Sequence, residues 1–199
     1  MNAFNHACLV ETRAMEDIVP FLKRISLDGR YVLTNKGNLS QELQKMVGDA
    51  VLNSHDGRIW GVEIKAEESD RHGNFFLETW SNRKRFTPGW MFTLRADILL
   101  YYFIKERLLY SIDFFKLRSW AFMDGNIYKY PEKPQGKYSQ LNDTWGRCVP
   151  IIAIEKEVGL RKYNLAEQAD GSRSDNPPSC GASIGGVPRF MGVRIEWII

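Results

Sequence analysis

Apolar residues recur at two different spacings along this chain, and the switches between them mark out the expected elements. Glu16 to Ile25 (EDIVPFLKRI) reads as a short helix interrupted by Pro20, and Tyr31 to Thr34 as a short strand. After a turn at Asn35-Lys36-Gly37-Asn38, Leu39, Leu43, Met46 and Val47 recur at helical spacing, with Asn38 or Ser40 as N-cap. That pattern predicts a helix over 39–47. Three strand-like segments follow: Asp49 to Ser54, Arg58 to Ala66, and Asn74 to Ser81 (NFFLETWS). Residues 95–105 (RADILLYYFIK) are apolar over most of their length and read as a buried helix. Leu108 to Ile112 is expected as a fourth strand and Phe114 to Phe122 as a further helix.

Beyond Met123, Pro131, Pro134 and Gly136 punctuate a loop-rich stretch, with a strand expected at Val149 to Ile154. Residues 167–188 are rich in Gly, Ser, Pro and Asp and read as a flexible linker. The final segment, 189–199, is apolar again and suits a docking strand. The expected organisation is therefore one α/β domain over 1–166 with its core at about 38–122, a linker, and a terminal segment.

The hairpin at 49–66 carries the first candidate chemistry. A three-residue connection through His55-Asp56-Gly57, with Gly57 left-handed, sets Asn53 opposite Ile59, Val51 opposite Gly61 and Asp49 opposite Glu63. Facing residues share one side of a sheet with Cβ atoms roughly 4.5–5.5 Å apart, so two carboxylates there repel. Lys65 points to the same side as Glu63, whereas Trp60, Val62 and Ile64 point to the other and supply core. A two-residue turn at Asp56-Gly57 is the alternative. It slips the register by one and sends Asp49 to the opposite face from Glu63.

Composition narrows the setting. A hydrophobic content of 44% with 26% charged residues is ordinary for a globular chain and excludes disorder throughout. Net charge of +3 and a pI near 8.7 tolerate a polyanionic partner without requiring one. The three cysteines (Cys8, Cys148, Cys180) lack metal-binding spacing and fit a reducing cytoplasm. The N-terminus has no signal-peptide pattern, and the longest apolar run, Ile98 to Ile104, is too short for a membrane span. Neither a P-loop nor a dinucleotide fingerprint occurs.

The arrangement GD-x(13)-ExK, at Gly48-Asp49 and Glu63-Ile64-Lys65, within an expected α-β-β-β-α-β order resembles the PD-(D/E)XK nuclease superfamily. The resemblance covers roughly residues 38–115, with Gly48 where the name-giving Pro would stand. It implies a restriction-endonuclease-like αβββαβ core with a central mixed sheet. It also implies a metal-dependent nuclease or hydrolase acting on nucleic acid, DNA in the first instance. Asp49, Glu63 and the Ile64 carbonyl would hold Mg²⁺ or Mn²⁺, with Lys65 beside the attacking water. Glu42, on the preceding helix, would be a further acid, and a homodimer would let two sites cut two strands.

Glu78, in the third strand, is a candidate border of the site, whereas Asp70, Asp97 and Asp113 read as structural, Asp97 in the first turn of its helix. The loop NRKRFTPGW joins cations to aromatics, so Arg83, Lys84, Arg85 and Trp90 are the expected nucleic-acid contacts. Two other readings compete. One is a nuclease-fold protein that binds without cutting, as an accessory or inhibitory factor of phage or bacterial origin. The other is a plain α/β domain in which ExK is surface charge.

Overall fold

The computed structural model describes residues 3–34, 46–55, 57–135 and 142–166. Glu42, most of the helix expected at 39–47, the 167–188 linker and the 189–199 segment lie outside them. The described residues form a mixed α/β fold with two sheets.

The chain begins with α1 (Ala3–Ile25), a helix of 23 residues that contains Pro20. It is longer than the 16–25 helix expected from sequence and is not broken at the proline. Ala14, Ile18, Phe21 and Leu22 form its buried stripe, at the spacing of one helical face. Burial of that stripe offsets a cost of about 3 kcal/mol for a proline in a helix interior.

Next come β1 (Ser26–Leu33), β2 (Ala50–Ser54) and β3 (Ile59–Glu67), consecutive antiparallel neighbours. Asn74–Asn82 forms β4, Thr87–Pro88 β5, and Trp90–Thr93 the short helix α2. The segment read as a buried helix at 95–105 is instead β6 (Ile98–Phe103), lying parallel to β3 and antiparallel to β7 (Leu108–Asp113). The reason is visible in its burial. Leu100 and Tyr102 pack into the core under α1, while Leu99, Tyr101 and Phe103 pack into a second core on the other side. A strand covered on both faces shows a continuous apolar run and no period of two, so periodicity cannot separate it from a short helix.

α3 (Phe114–Arg118) follows with Asp113 as N-cap, its carboxylate accepting from the Lys116 amide, and continues as a π-helical turn over Ser119–Met123. A 3₁₀ turn at Asn126–Lys129 leads to β8 (Glu132–Pro134), β9 (Trp145–Pro150), α4 (Ile151–Glu157) and β10 (Arg161–Asn164). The strand expected at 149–154 is thus the end of β9 plus a helix. Pro150, lacking an N–H, closes the strand, and Ile151 donates to Gly73 O as the helix begins.

One sheet runs β1-β2-β3-β6-β7-β10 and the other β5-β4-β9-β8. In the αβββαβ order implied by the resemblance, the third strand, β4, would join the sheet of the hairpin. Its partners are β5 and β9, so it belongs to the second sheet. Phe75 on β4 meets Tyr101 of β6 at 4.7 Å between ring centroids, in the core between the sheets.

Candidate functional site

The β2–β3 register is the one a three-residue turn predicts: Asn53 faces Ile59, Leu52 faces Trp60, Val51 faces Gly61 and Ala50 faces Val62. Gly57 has φ +80°, and the turn closes through Ser54 N to Arg58 O (2.8 Å) and Gly57 N to Ser54 O (2.9 Å). The register of a two-residue turn is excluded, but the ladder ends at Ala50–Val62, so the expected pairing of Asp49 with Glu63 is not formed.

Just before β2 the backbone tightens. Gly48 has φ +85° and bridges to Val62, and a Cβ at this position would stand 2.5 Å from the Val62 carbonyl oxygen. Proline, fixed near φ −65° and carrying a Cβ, has no place here. Thr34, buried at the end of β1, holds the same stretch from the other side. Its Oγ1 donates to Gly48 O (2.7 Å) and its amide to Asp49 O (2.9 Å).

So anchored, Asp49 turns its carboxylate onto β3, where Oδ2 accepts from the Ile64 amide at 2.9 Å. Glu63, only 7% exposed, sits in the same strand, and Lys65 donates to its Oε1 at 2.5 Å. Trp60 and Ile64 pack toward α1, on the other side of β3. The next residue on the charged side, Glu67, accepts a short hydrogen bond from the Tyr101 hydroxyl, which itself accepts from the Phe76 amide (3.1 Å).

The second sheet completes the cluster. Glu78 of β4 accepts from the Trp90 amide (3.3 Å), and the Lys65 ammonium lies 5.6 Å from the centroid of the Trp90 ring. Trp90 therefore belongs to the acidic cluster and packs on Phe114, with ring centroids 5.9 Å apart. Arg83, by contrast, lies over Trp145 (4.2 Å) and pairs with Glu132 (3.5 Å), while Lys84 and Arg85 are exposed on the loop.

Asp97 is not in a helix. Its Oδ2 accepts from the Gly61 amide (2.8 Å) and its own amide donates to Gly61 O (2.8 Å), so it clamps β3 where β6 begins. Its role is structural, as the sequence suggested, by a different device.

Burial pushes the Glu63 pKa up, Lys65 opposes this, and the neighbouring Asp49 and Glu78 carboxylates add to the rise. Burial alone would lower Lys65, but Glu63, with Asp49 and Glu78 behind it, holds the ammonium above its usual range. Lys65 is thus a fixed cation at neutral pH. Glu78 is also raised, by burial first.

Among the described residues no three His, Cys, Asp or Glu side chains converge into a cage for a metal. Asp49 lies near enough to Glu63 to raise its pKa, and one or two carboxylates are what Mg²⁺ commonly takes from a protein. Sequence patterns pointed to Asp49, Glu63 and Lys65 but not to the Glu67–Tyr101 pair or the place of Trp90. The signal for Glu67 was its even spacing from Glu63 and Lys65. Tyr101 carried none.

Among the described residues no helix is long and apolar enough to cross a membrane. No family model matches the chain, and no curated protein or solved structure is significantly similar to it.

Proposed function

We propose that this protein is a metal-dependent nuclease with a site of the PD-(D/E)XK type, hydrolysing phosphodiester bonds of nucleic acid, DNA in the first instance. One observation carries the reading. Asp49 is fixed by the Ile64 amide on the strand that bears Glu63, with Lys65 paired to Glu63 alongside. Support comes from this hairpin and its acids. Outside it, β4 in a second sheet and β6 in place of a helix depart from an αβββαβ order.

Asp49, Glu63 and the Ile64 carbonyl would hold Mg²⁺ or Mn²⁺, hard ions that prefer such oxygen donors. When bound, the ion polarises the phosphoryl oxygen and acidifies a water. Lys65, a cation at neutral pH, then stabilises negative charge developing on the phosphoryl group and does not take the water's proton. Glu78 and Trp90 keep the ammonium on this side of β3, through charge and through the face of the indole.

The test incubates plasmid, linear duplex and single-stranded DNA with the full chain under Mg²⁺ or Mn²⁺. Asp49→Ala and Glu63→Ala are each expected to lower cleavage by at least about a hundredfold. Cleavage that survives both substitutions unchanged removes the assignment. A second reading, a protein of this architecture that binds without cutting, takes the 2.5 Å Glu63–Lys65 contact as a closed ion pair. In that case calorimetry records no divalent binding at millimolar concentration.

A further inference from the structure

Two residues beyond Glu78 on β4, and two beyond Trp90 on α2, the chain enters a pocket of about 420 Å³ that the chemistry above does not use. Trp80, Phe86, Phe92, Phe122 and Tyr128 line it. They include two ring pairs, Trp80 with Phe86 edge to face (6.5 Å) and Phe92 stacked on Phe122 (4.4 Å). Phe86 is 80% exposed and has φ +53°, and Tyr128 is 63% exposed. A bulky residue held left-handed with its ring in water is costly on both counts and asks for a reason.

The pocket's polar wall combines donors and an acceptor. Glu132 accepts from Thr79 Oγ1 (2.7 Å) and lies 3.5 Å from Arg83 and 4.0 Å from Arg147. Arg147 also lies over the Tyr128 ring (5.4 Å). Of the charged residues that line the pocket, Arg83 and Arg147 outnumber Glu132, and Lys84 and Arg85 are exposed on the loop between Arg83 and Phe86. A planar, hydrogen-bonding ring attached to an anion matches all three features: flat faces stack on the aromatics, edges meet both arginine donors and a carboxylate acceptor, and phosphates meet the cations. A hydrocarbon guest would offer nothing to Arg147 Nε, which is buried without a hydrogen-bond partner among the described residues.

We propose that this pocket takes an unpaired nucleobase of a single strand or splayed end whose backbone passes the Asp49–Glu63–Lys65 cluster. The inference rests on the nucleic-acid reading above and adds to it the strand type. Geometry links the two places: Glu78, which acts on Lys65, and Trp80, which lines the pocket, are two residues apart on β4 across an irregularity in its pairing with β9, roughly 7 Å or less.

The test is fluorescence anisotropy of the full chain with a labelled single-stranded deoxyoligonucleotide of about 12 nucleotides. EDTA is present and salt is about 50 mM. A strand of the same length made of abasic residues, and the matching blunt duplex, are run beside it. The base-bearing strand is expected to bind at least about fivefold tighter than either. Phe86→Ala and Tyr128→Ala should each weaken it about fivefold or more, with Phe86→Trp restoring affinity. Both rings are exposed, and an unchanged melting temperature confirms folding.

Equal binding of the abasic strand or the duplex, no binding of the single strand, or indifference to both alanine substitutions overturns the proposal. The assay contains no metal. Its failure therefore leaves the cleavage reading to its own experiment, and absent cleavage with intact strand binding condemns only the cleavage reading.

Discussion

At Glu67 a half-buried carboxylate accepts a hydrogen bond from the buried Tyr101 hydroxyl, and the balance of burial against that bond sets its titration. Burial raises the Glu67 pKa, the Tyr101 bond opposes the rise, and Asp70 adds to it. The native state therefore keeps the Glu67 proton to higher pH than the unfolded chain, in which the group titrates near 4.5. Over that window the native state binds more protons, so stability falls as pH rises. Glu67→Gln removes the titration and keeps an acceptor for Tyr101. Denaturant melts should show wild type at its best relative to Glu67→Gln below about pH 4.5, losing ground as pH climbs through the raised value. A difference independent of pH would refute this account. Sequence alone offers for Glu67 only its even spacing from Glu63 and Lys65, because its partner is 34 residues away on the segment read there as a helix.

At the scale of elements, the decisive contact is the approach of Gly48 to β3. A Cβ here meets the Val62 carbonyl at 2.5 Å and the backbone is left-handed, so Gly48→Ala adds both a clash and a strained φ. Gly73 separates the two effects, with φ +63° and nothing within 4 Å of an added Cβ. Urea denaturation should give a loss of more than about 2 kcal/mol for Gly48→Ala and about 1 kcal/mol for Gly73→Ala. Equal losses would mean that the strands do not close on Gly48. The hairpin was legible because a turn such as His55-Asp56-Gly57 is local and fixes every pairing behind it. The segment 98–103 was not, because its covering layers come from α1 on one side and β4 on the other.

Across the whole molecule, the charged cluster lies where the two sheets meet, with Glu63 and Lys65 on one and Glu78 on the other. Asp49, Glu63 and Glu78 there set three carboxylates against the single ammonium of Lys65, and on the proposed reading a bound divalent ion would offset their repulsion. Any ligand that binds only the native state stabilises by about 2.7 kcal/mol at a hundred times its Kd. Mg²⁺ or Mn²⁺ is therefore expected to raise the melting temperature in a saturable, concentration-dependent way, and Asp49→Ala to abolish the rise. Calcium-free calorimetric scans with and without each ion measure it directly. A rise of equal size in the Asp49→Ala protein would locate the ion elsewhere.

What the sequence determined by itself was whatever short-range chemistry dictates: the turn at 55–57 and the register from Ala50 to Asn53 behind it, which brings Asp49 up to the strand that bears Glu63 and Lys65. Tertiary structure decided the rest. It made a strand of an apolar run by covering both its faces, moved β4 into a second sheet, and brought Glu78 and Trp90 to Lys65. The physical reason is common to all three. Hydrogen-bonded turns are settled between neighbours in the chain, whereas burial is settled by whichever distant surface arrives to exclude water.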